Sequence, residues 1–253
     1  MPKKLNKADQ YNDPKHNYLH YWEGREYEHA AEEIAIARLL KNRHFERAVD
    51  VGGGYGRLSV FLRNFADEVT LAEPSQQQLE IAKEFLVNKP LVKTKLAQAE
   101  ALPFSDNSVD LVLVVRVLHH LPDPTPAFEE IHRILKKDGL FLLEFANNTH
   151  IKNRIKYATK FRKIPLEPVD IRSAENKRDD EIPFVNHHPK LIKRQLAQAG
   201  FKLEATLSAS NFRSRTFKKL FGPKALLKLE KFTQRPLSSA YFGPSTVFLL
   251  KKV

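Results

Sequence analysis

The chain of 253 residues contains no cysteine. That excludes disulfides, zinc–thiolate sites and a thiol nucleophile, and nothing in it asks for an oxidising compartment. It also lacks any apolar run long enough to cross a membrane, and no apolar stretch follows the polar start Met1-Pro2-Lys3-Lys4. A soluble, cytoplasmic protein is the expectation. No Gly-Lys-Ser/Thr closes a glycine loop, which argues against ATP-type phosphate binding, and without an H-E-x-x-H or a carboxylate triad no metal site is expected. Internal repeats and low-complexity tracts are absent as well. With 42% hydrophobic residues, the length suffices for a sizeable core.

What is present is organised around Ala48-Val49-Asp50-Val51-Gly52-Gly53-Gly54-Tyr55-Gly56-Arg57-Leu58. An apolar run holds an acid, glycines follow at once, and Leu58, Phe61, Leu62 and Phe65 then recur at helical spacing. The stretch reads as strand, tight turn and helix. Glycine permits positive φ and close approach by a ligand, while a helix start offers free N–H groups. Arg57 stands where the dinucleotide fingerprint wants its third glycine, so G-x-G-x-G describes the loop better.

Strand and helix signals alternate from there. Residues 68–73 form a second strand ending in Glu73, about 20 residues past the glycines, where a carboxylate can accept both hydroxyls of a ribose. Ser75 and Gln78 are placed as a capping box for the next helix. Strands follow at 92–96 and 109–115, and a helix through Phe128, Ile131, Ile134 and Leu135 carries Lys136 and Lys137 at its end, with Asp138-Gly139 as its stop. Residues 140–145, 201–207 and 246–252 supply the remaining strands. This is an α/β pattern, a doubly wound parallel sheet with its ligand at the carboxyl ends of the strands.

Outside that unit, residues 1–20 are polar and read as poorly ordered until docked. A helix follows with Tyr27, Ala30, Ile34, Ala37 and Leu40 on one face. Tyr18, Tyr21, Trp22 and Tyr27 form an aromatic cluster that either covers a ligand pocket or anchors the helix. The net charge of +12 is uneven: residues 45–146 carry −4, and residues 213–253 carry +9. The basic excess points to an acidic partner or substrate at the C-terminal third, against the plainer reading of a solvated basic face. Residues 164–186 read as a lid.

Val-Asp-Val-Gly-Gly-Gly-Tyr-Gly at 49–56, Glu73, Ala99-Glu100-Ala101-Leu102-Pro103-Phe104, the run from Asp110 to Leu121 and Leu135-Lys-Lys-Asp-Gly139 together resemble the class I S-adenosylmethionine-dependent methyltransferases. Within these, the chain is most similar to the type 11 group typified by the ubiquinone/menaquinone methyltransferases, over roughly residues 45–146. The resemblance implies a Rossmann-like sheet of seven strands, the last antiparallel. It further implies one domain: an N-terminal helical extension (1–44), a cofactor-binding core (45–146), and a helical substrate cap with the last strands (147–253). S-adenosyl-L-methionine is the implied cofactor. By this resemblance Gly52, Gly54 and Gly56 pass beneath its methionine part, Asp50 lies near its amino group, and Glu73 holds the ribose. Ala99 and Glu100 border the adenine, Gln98 stands where the family often has an acid for the adenine amino group, and Arg116 lines the sulfonium end. Gly53, often cysteine in the family, is expected to be harmless.

Methyl transfer from a sulfonium is an in-line displacement, for which alignment supplies most of the rate. A base is needed only if the acceptor loses a proton. His119 and His120 are the catalytic candidates, each weighed against a structural hydrogen bond. Tyr21, Tyr27, His187 and His188 are candidates for the substrate side. The expected acceptor is a small molecule, with anionic or amphipathic chemistry suiting the basic cap. Two competing readings are an RNA methyltransferase, with Phe212, Phe217, Phe221 and Phe232 interleaved with Lys and Arg as stacking platforms, and a non-catalytic cofactor-binding or assembly protein.

Overall fold

The computed structural model describes residues 11–12, 21–89, 92–179 and 182–253. The expectation for residues 1–20 falls outside them except at Tyr11 and Asn12, and so does Tyr18 of the aromatic cluster. In chain order the elements are α1 (Glu26–Leu39), β1 (Phe45–Val51), α2 (Arg57–Leu62), β2 (Ala66–Glu73), α3 (Gln76–Leu86), β3 (Val92–Leu96), β4 (Val109–Val114) and α4 (Thr125–Ile134). There follow β5 (Leu135–Ala146), α5 (Ile151–Ala158), β6 (Val169–Asp170), α6 (Ala174–Asp179), β7 (Val185–Asn186), α7 (Pro189–Gln198), β8 (Phe201–Ala209), α8 (Arg215–Leu220), α9 (Pro223–Thr233) and β9 (Ser245–Lys252).

Seven strands form one sheet in the order β3-β2-β1-β4-β5-β9-β8. The first five are parallel, and β9 runs antiparallel to both β5 and β8. The expected sheet with its antiparallel last strand is therefore present. Strand alternation builds the two halves of the core. On β4, Val112 and Val114 join Phe128, Ile131 and Phe141 on one face, while Leu111 and Leu113 join Ile36, Leu58 and Leu62 on the other. Full burial of such a side chain contributes about 2 kcal/mol, so an unbroken apolar run is what a strand covered on both faces needs.

Two expectations are corrected. The helix read through Leu135 stops at Ile134, and Lys136 to Gly139 belong to a bulge in β5, where Val109 pairs with Leu135 but Leu111 with Leu140. The charged ends of helix and strand look alike to a periodicity reading. The buried face of α1 is also rotated: Tyr27, Glu28, Ala31, Glu32, Ala35, Ile36 and Leu39 are buried, not Ala30, Ile34 and Ala37. Two acids lie on that face because cations meet them there. Lys218 Nζ stands 2.8 Å from Glu28, and Arg57 and Arg116 both reach Glu32.

The capping box is half formed. Ser75 Oγ accepts from the Gln78 backbone N–H, but the buried Gln78 side-chain amide has no partner among the described residues. The expected lid contains the short ribbon β6–β7 and helix α6, and its side chains wall a cavity over the sheet.

Candidate functional site

The carboxyl ends of β1, β2, β4 and β5 converge on two adjoining cavities. Between β1 and α2 the glycine loop turns sharply: Gly52 has φ +67°, and a Cβ there would sit 2.4 Å from a Val117 methyl. At Gly53 a Cβ would fall 2.4 Å from Asp50 Oδ2. A side chain at 53 thus collides with the acid that the loop covers. The backbone N–H of Gly54 donates to Glu73 Oε2 at 2.9 Å, and that of Ser75 to Oε1 at 3.0 Å, which aims the β2 carboxylate across the loop.

The first cavity, of about 340 Å³, is lined by Gly52, Gly54, Glu73, Gln98, Ala99, Glu100 and Arg116. These seven predicted cofactor residues are brought together from four separate segments. Asp50 and Gly56 do not line it. Gly56 begins α2 and faces Leu71 and Leu86. Asp50 lies beneath the loop, accepts a hydrogen bond from Ser59 Oγ at 2.7 Å, and borders a small side pocket with Arg57 and Arg116. Burial pushes its carboxyl up to about 6, against the Ser59 hydrogen bond. The cavity offers a carboxylate, loop backbone, and the apolar flanks of Val51, Pro74, Val117 and Leu121, a donor set that fits a nucleoside with an attached amino acid. Glu73 would hold ribose hydroxyls and Gln98 to Glu100 the base, while Asp50 and the two arginines stand where an ammonium and a carboxylate could be received.

The second cavity, of about 570 Å³, shares Tyr11, Arg116 and Ile182 with the first. Tyr21, His119, Glu144 and His150 line it, with Ile171, Arg172 and Phe184 from the lid. Arg116 is the hinge between the two. Its backbone has φ +61°, a conformation of order 1–3 kcal/mol above the ordinary regions for a bulky residue and concentrated at functional sites. Three contacts hold it there: its N–H donates to Glu144 Oε2 at 2.9 Å, its Nε donates to Glu32 Oε1 at 2.6 Å, and its guanidinium lies 5.0 Å from the Trp22 ring. Burial works against its charge, but Glu32 and Glu144 outweigh that and hold its pKa above the ordinary value. Glu32 is buried too, yet Arg57 and Arg116 keep it below the usual carboxylate range.

The histidines separate into different roles. His119 lines the second cavity, lies against Phe184 with ring centroids 4.3 Å apart, and is held well below its ordinary pKa by burial, then by His120, Arg116 and His187. A neutral imidazole there can accept a proton. His120 lines the first cavity, with Nε2 against Tyr11 Oη at 2.8 Å and Nδ1 against the Pro183 carbonyl at 2.9 Å. The substrate expectation fails for three residues. His187 is fully buried with Nε2 2.8 Å from the Leu118 carbonyl, and His188 caps α7 through Nδ1, away from both cavities. Tyr27 is buried as well, donating to Glu230 Oε2 at 2.7 Å. Each makes a hydrogen bond within the fold, and none of the three lines either cavity.

Several site residues escaped the sequence reading. Glu144, two residues before the end of β5, lines the second cavity, and burial raises its pKa despite Arg116. Glu32 carries a signal only in retrospect, an acid four residues after Glu28 on the same helical face. Tyr11 and Asn12 meet Ser75, whose Oγ lies 2.7 Å from the Tyr11 carbonyl and 2.8 Å from Asn12 Oδ1, so this stretch borders the first cavity. Among the described residues, no group of three or more His, Asp or Glu is placed to hold a metal ion.

The sheet order, the glycine loop and the acid ending β2 define a class I methyltransferase fold. Residues 49–143 match the family described as "Methyltransferase domain". It is similar to the uncharacterized methyltransferase YcgJ of Bacillus subtilis, 32% identical over 110 residues covering 43% of this chain and 44% of that protein. It is also similar to the ubiquinone/menaquinone biosynthesis C-methyltransferase UbiE of Shewanella piezotolerans, 28% identical over 166 residues covering 62% and 66% of the two chains. The chain thus spans between about two fifths and just under two thirds of these relatives. The crystal structure of an S-adenosylmethionine-dependent methyltransferase from Mesorhizobium loti superposes with a TM-score of 0.59 at 16% identity, covering 88% of this chain and 98% of that one.

Proposed function

We propose that the protein transfers a methyl group from S-adenosyl-L-methionine to a small-molecule acceptor. The observation that carries this reading is the pair of cavities meeting at Arg116: one suits a nucleoside, and the other, walled by the lid, has room for a small acceptor. When bound, the cofactor supplies an activated methyl group. The chain's own residues then position and enclose. Glu73 and the loop backbone orient the donor, Ile171 and Phe184 of the lid exclude water, and Arg116 keeps the two cavities in register. His119 is the group placed to take a proton from an acceptor that must lose one. Its neighbour His120 is occupied by Tyr11 and Pro183 and serves to hold the N-terminal stretch over the donor cavity.

A second reading, RNA methylation, has one observation in its favour: Phe217, Phe221 and Phe232 of the basic α8–α9 segment are exposed. Phe217 already stacks on Phe221, with centroids 6.2 Å apart, and meets Phe212 at 5.5 Å. The partly enclosed cavity favours a small acceptor. Calorimetric titration with S-adenosylmethionine tests the cofactor, with NAD and Glu73→Ala as controls. The expected result is saturable binding, weakened about tenfold or more in Glu73→Ala because hydrogen bonds to a charged group are worth about 1.5–3 kcal/mol. No binding by the wild-type protein overturns the reading. RNA binding that falls steeply with salt would favour the second one.

A further inference from the structure

Four arginines, Arg25, Arg116, Arg172 and Arg213, line the larger cavity. Two are neutralised within the fold. Arg116 is paired with Glu32, and Arg172 with Asp170 at 2.9 Å. Among the described residues, the other two have no carboxylate at ion-pair distance. The Arg25 guanidinium lies 4.0 Å over the Tyr21 ring, a face contact that leaves its N–H fork unused. The Arg213 side chain makes no hydrogen bond among the described residues, and burial, then Arg116, pulls its pKa down. Glu144, the acid on this wall, is committed to the Arg116 N–H and pushed by burial toward its neutral form.

The stretches of backbone that carry these two arginines are tied together by one hydrogen-bond network. Tyr27, two residues after Arg25, donates to Glu230 on α9, and the N–H of Phe212, which precedes Arg213, donates to Tyr27 Oη at 3.1 Å. Asn211 N–H also donates to Glu230, at 3.0 Å. The network ties the start of α1 to the entry of the basic segment, so Arg25 and Arg213 face one cavity from two distant parts of the chain. Unpaired guanidinium forks in a partly enclosed space match the geometry of planar or tetrahedral oxyanions, and the side-chain amide of Asn176, whose Oδ1 accepts from Ser173 Oγ at 3.0 Å, adds a neutral donor from the lid.

We infer that Arg25 and Arg213 form an anion clamp in the acceptor cavity, and that the methyl acceptor is a small molecule carrying a carboxylate or phosphate group. The clamp rests on the reading of this cavity as the acceptor site. It is tested on the full chain saturated with S-adenosylhomocysteine, by calorimetric titration with benzoate and phenyl phosphate and with their neutral counterparts benzamide and phenol. The expected result is saturable binding of at least one anion, at least about tenfold tighter than its neutral partner, as the loss of one charge-assisted contact implies. The better of the two anions identifies the group recognised. Arg25→Gln and Arg213→Gln should each weaken that binding by about tenfold, with Arg213→Lys intermediate because it keeps the charge and loses the fork. S-adenosylmethionine binding, measured in parallel, should be unchanged in all three variants. Equal binding of anions and neutral compounds, binding of neither, or anion binding indifferent to both Gln substitutions overturns the clamp while intact cofactor binding leaves the methyltransferase reading standing. Loss of cofactor binding by the wild-type protein would instead remove that reading.

Discussion

Glu32 in α1 accepts a hydrogen bond from Arg116 Nε at 2.6 Å, across 84 positions of sequence. The same carboxylate takes Arg57 of α2, and both guanidinium groups pack on Trp22. An N-terminal helix outside the matched family region therefore holds the residue at which the two cavities meet. A buried acid shared by two buried cations is secure while all three are present and costly when one is removed.

Glu32→Ala should accordingly lower stability by about 3–5 kcal/mol, the usual cost of leaving buried charge unpaired. Urea unfolding followed by the fluorescence of Trp22, the only tryptophan, measures this directly. A change below about 1 kcal/mol, the level of an exposed ion pair, would mean that Arg57 and Arg116 find other partners.

Asp50 supplies a pH-dependent prediction. Its folded pKa of about 6 exceeds the unfolded value of 3.8, so the folded state binds the proton more tightly. The favourable contribution of that proton is present below the unfolded value and is lost as pH rises through 6. Asp50→Asn should thus stabilise the cofactor-free protein at pH 8, by at most about 3 kcal/mol, with the gain shrinking toward pH 4. Unfolding curves at the two pH values decide it. Cofactor affinity should move the other way, falling in Asp50→Asn, if the acid receives the ammonium of the ligand.

His119 leads to a kinetic prediction. Replacement by Asn should lower kcat by about a hundredfold for an acceptor that must be deprotonated, in the range for a single acid–base group, with cofactor affinity unchanged. Because burial holds the imidazole well below its ordinary value, the wild-type rate should stay level as pH falls through 6.5. A rate that halves near pH 6.5 would assign the base elsewhere.

Tyr11 tests whether the N-terminal stretch closes the donor cavity. Tyr11→Phe removes the contact with His120 Nε2 and should weaken S-adenosylmethionine binding about fivefold, the value of one hydrogen bond of about 1 kcal/mol. Unchanged calorimetric affinity would show that Tyr11 only borders the site.

Much of the lining of the first cavity was legible, the glycine turn and Glu73 from local order and Gln98, Ala99 and Glu100 from the resemblance. The glycine turn, the acid ending β2 and the Gln98-Ala99-Glu100 segment each lie at the end of a strand, and a parallel sheet brings strand ends together. The second cavity was less legible. Tyr27, His187 and His188 carry the residue types of a site, yet each is used inside the fold. Sequence shows that a polar group is present, not which way the backbone turns it.

The sequence by itself determined the order of the main strands and helices and the doubly wound sheet, because periodicity and turn chemistry act over a few residues, and the resemblance of its motifs named seven residues that line the first cavity. Only the tertiary structure decided which face of α1 is buried, that Glu32 commands Arg57 and Arg116, and that Arg25 and Arg213 share a cavity. Those outcomes depend on pairing charges far apart in the chain, where the cost of burial is offset by a partner that no local pattern names.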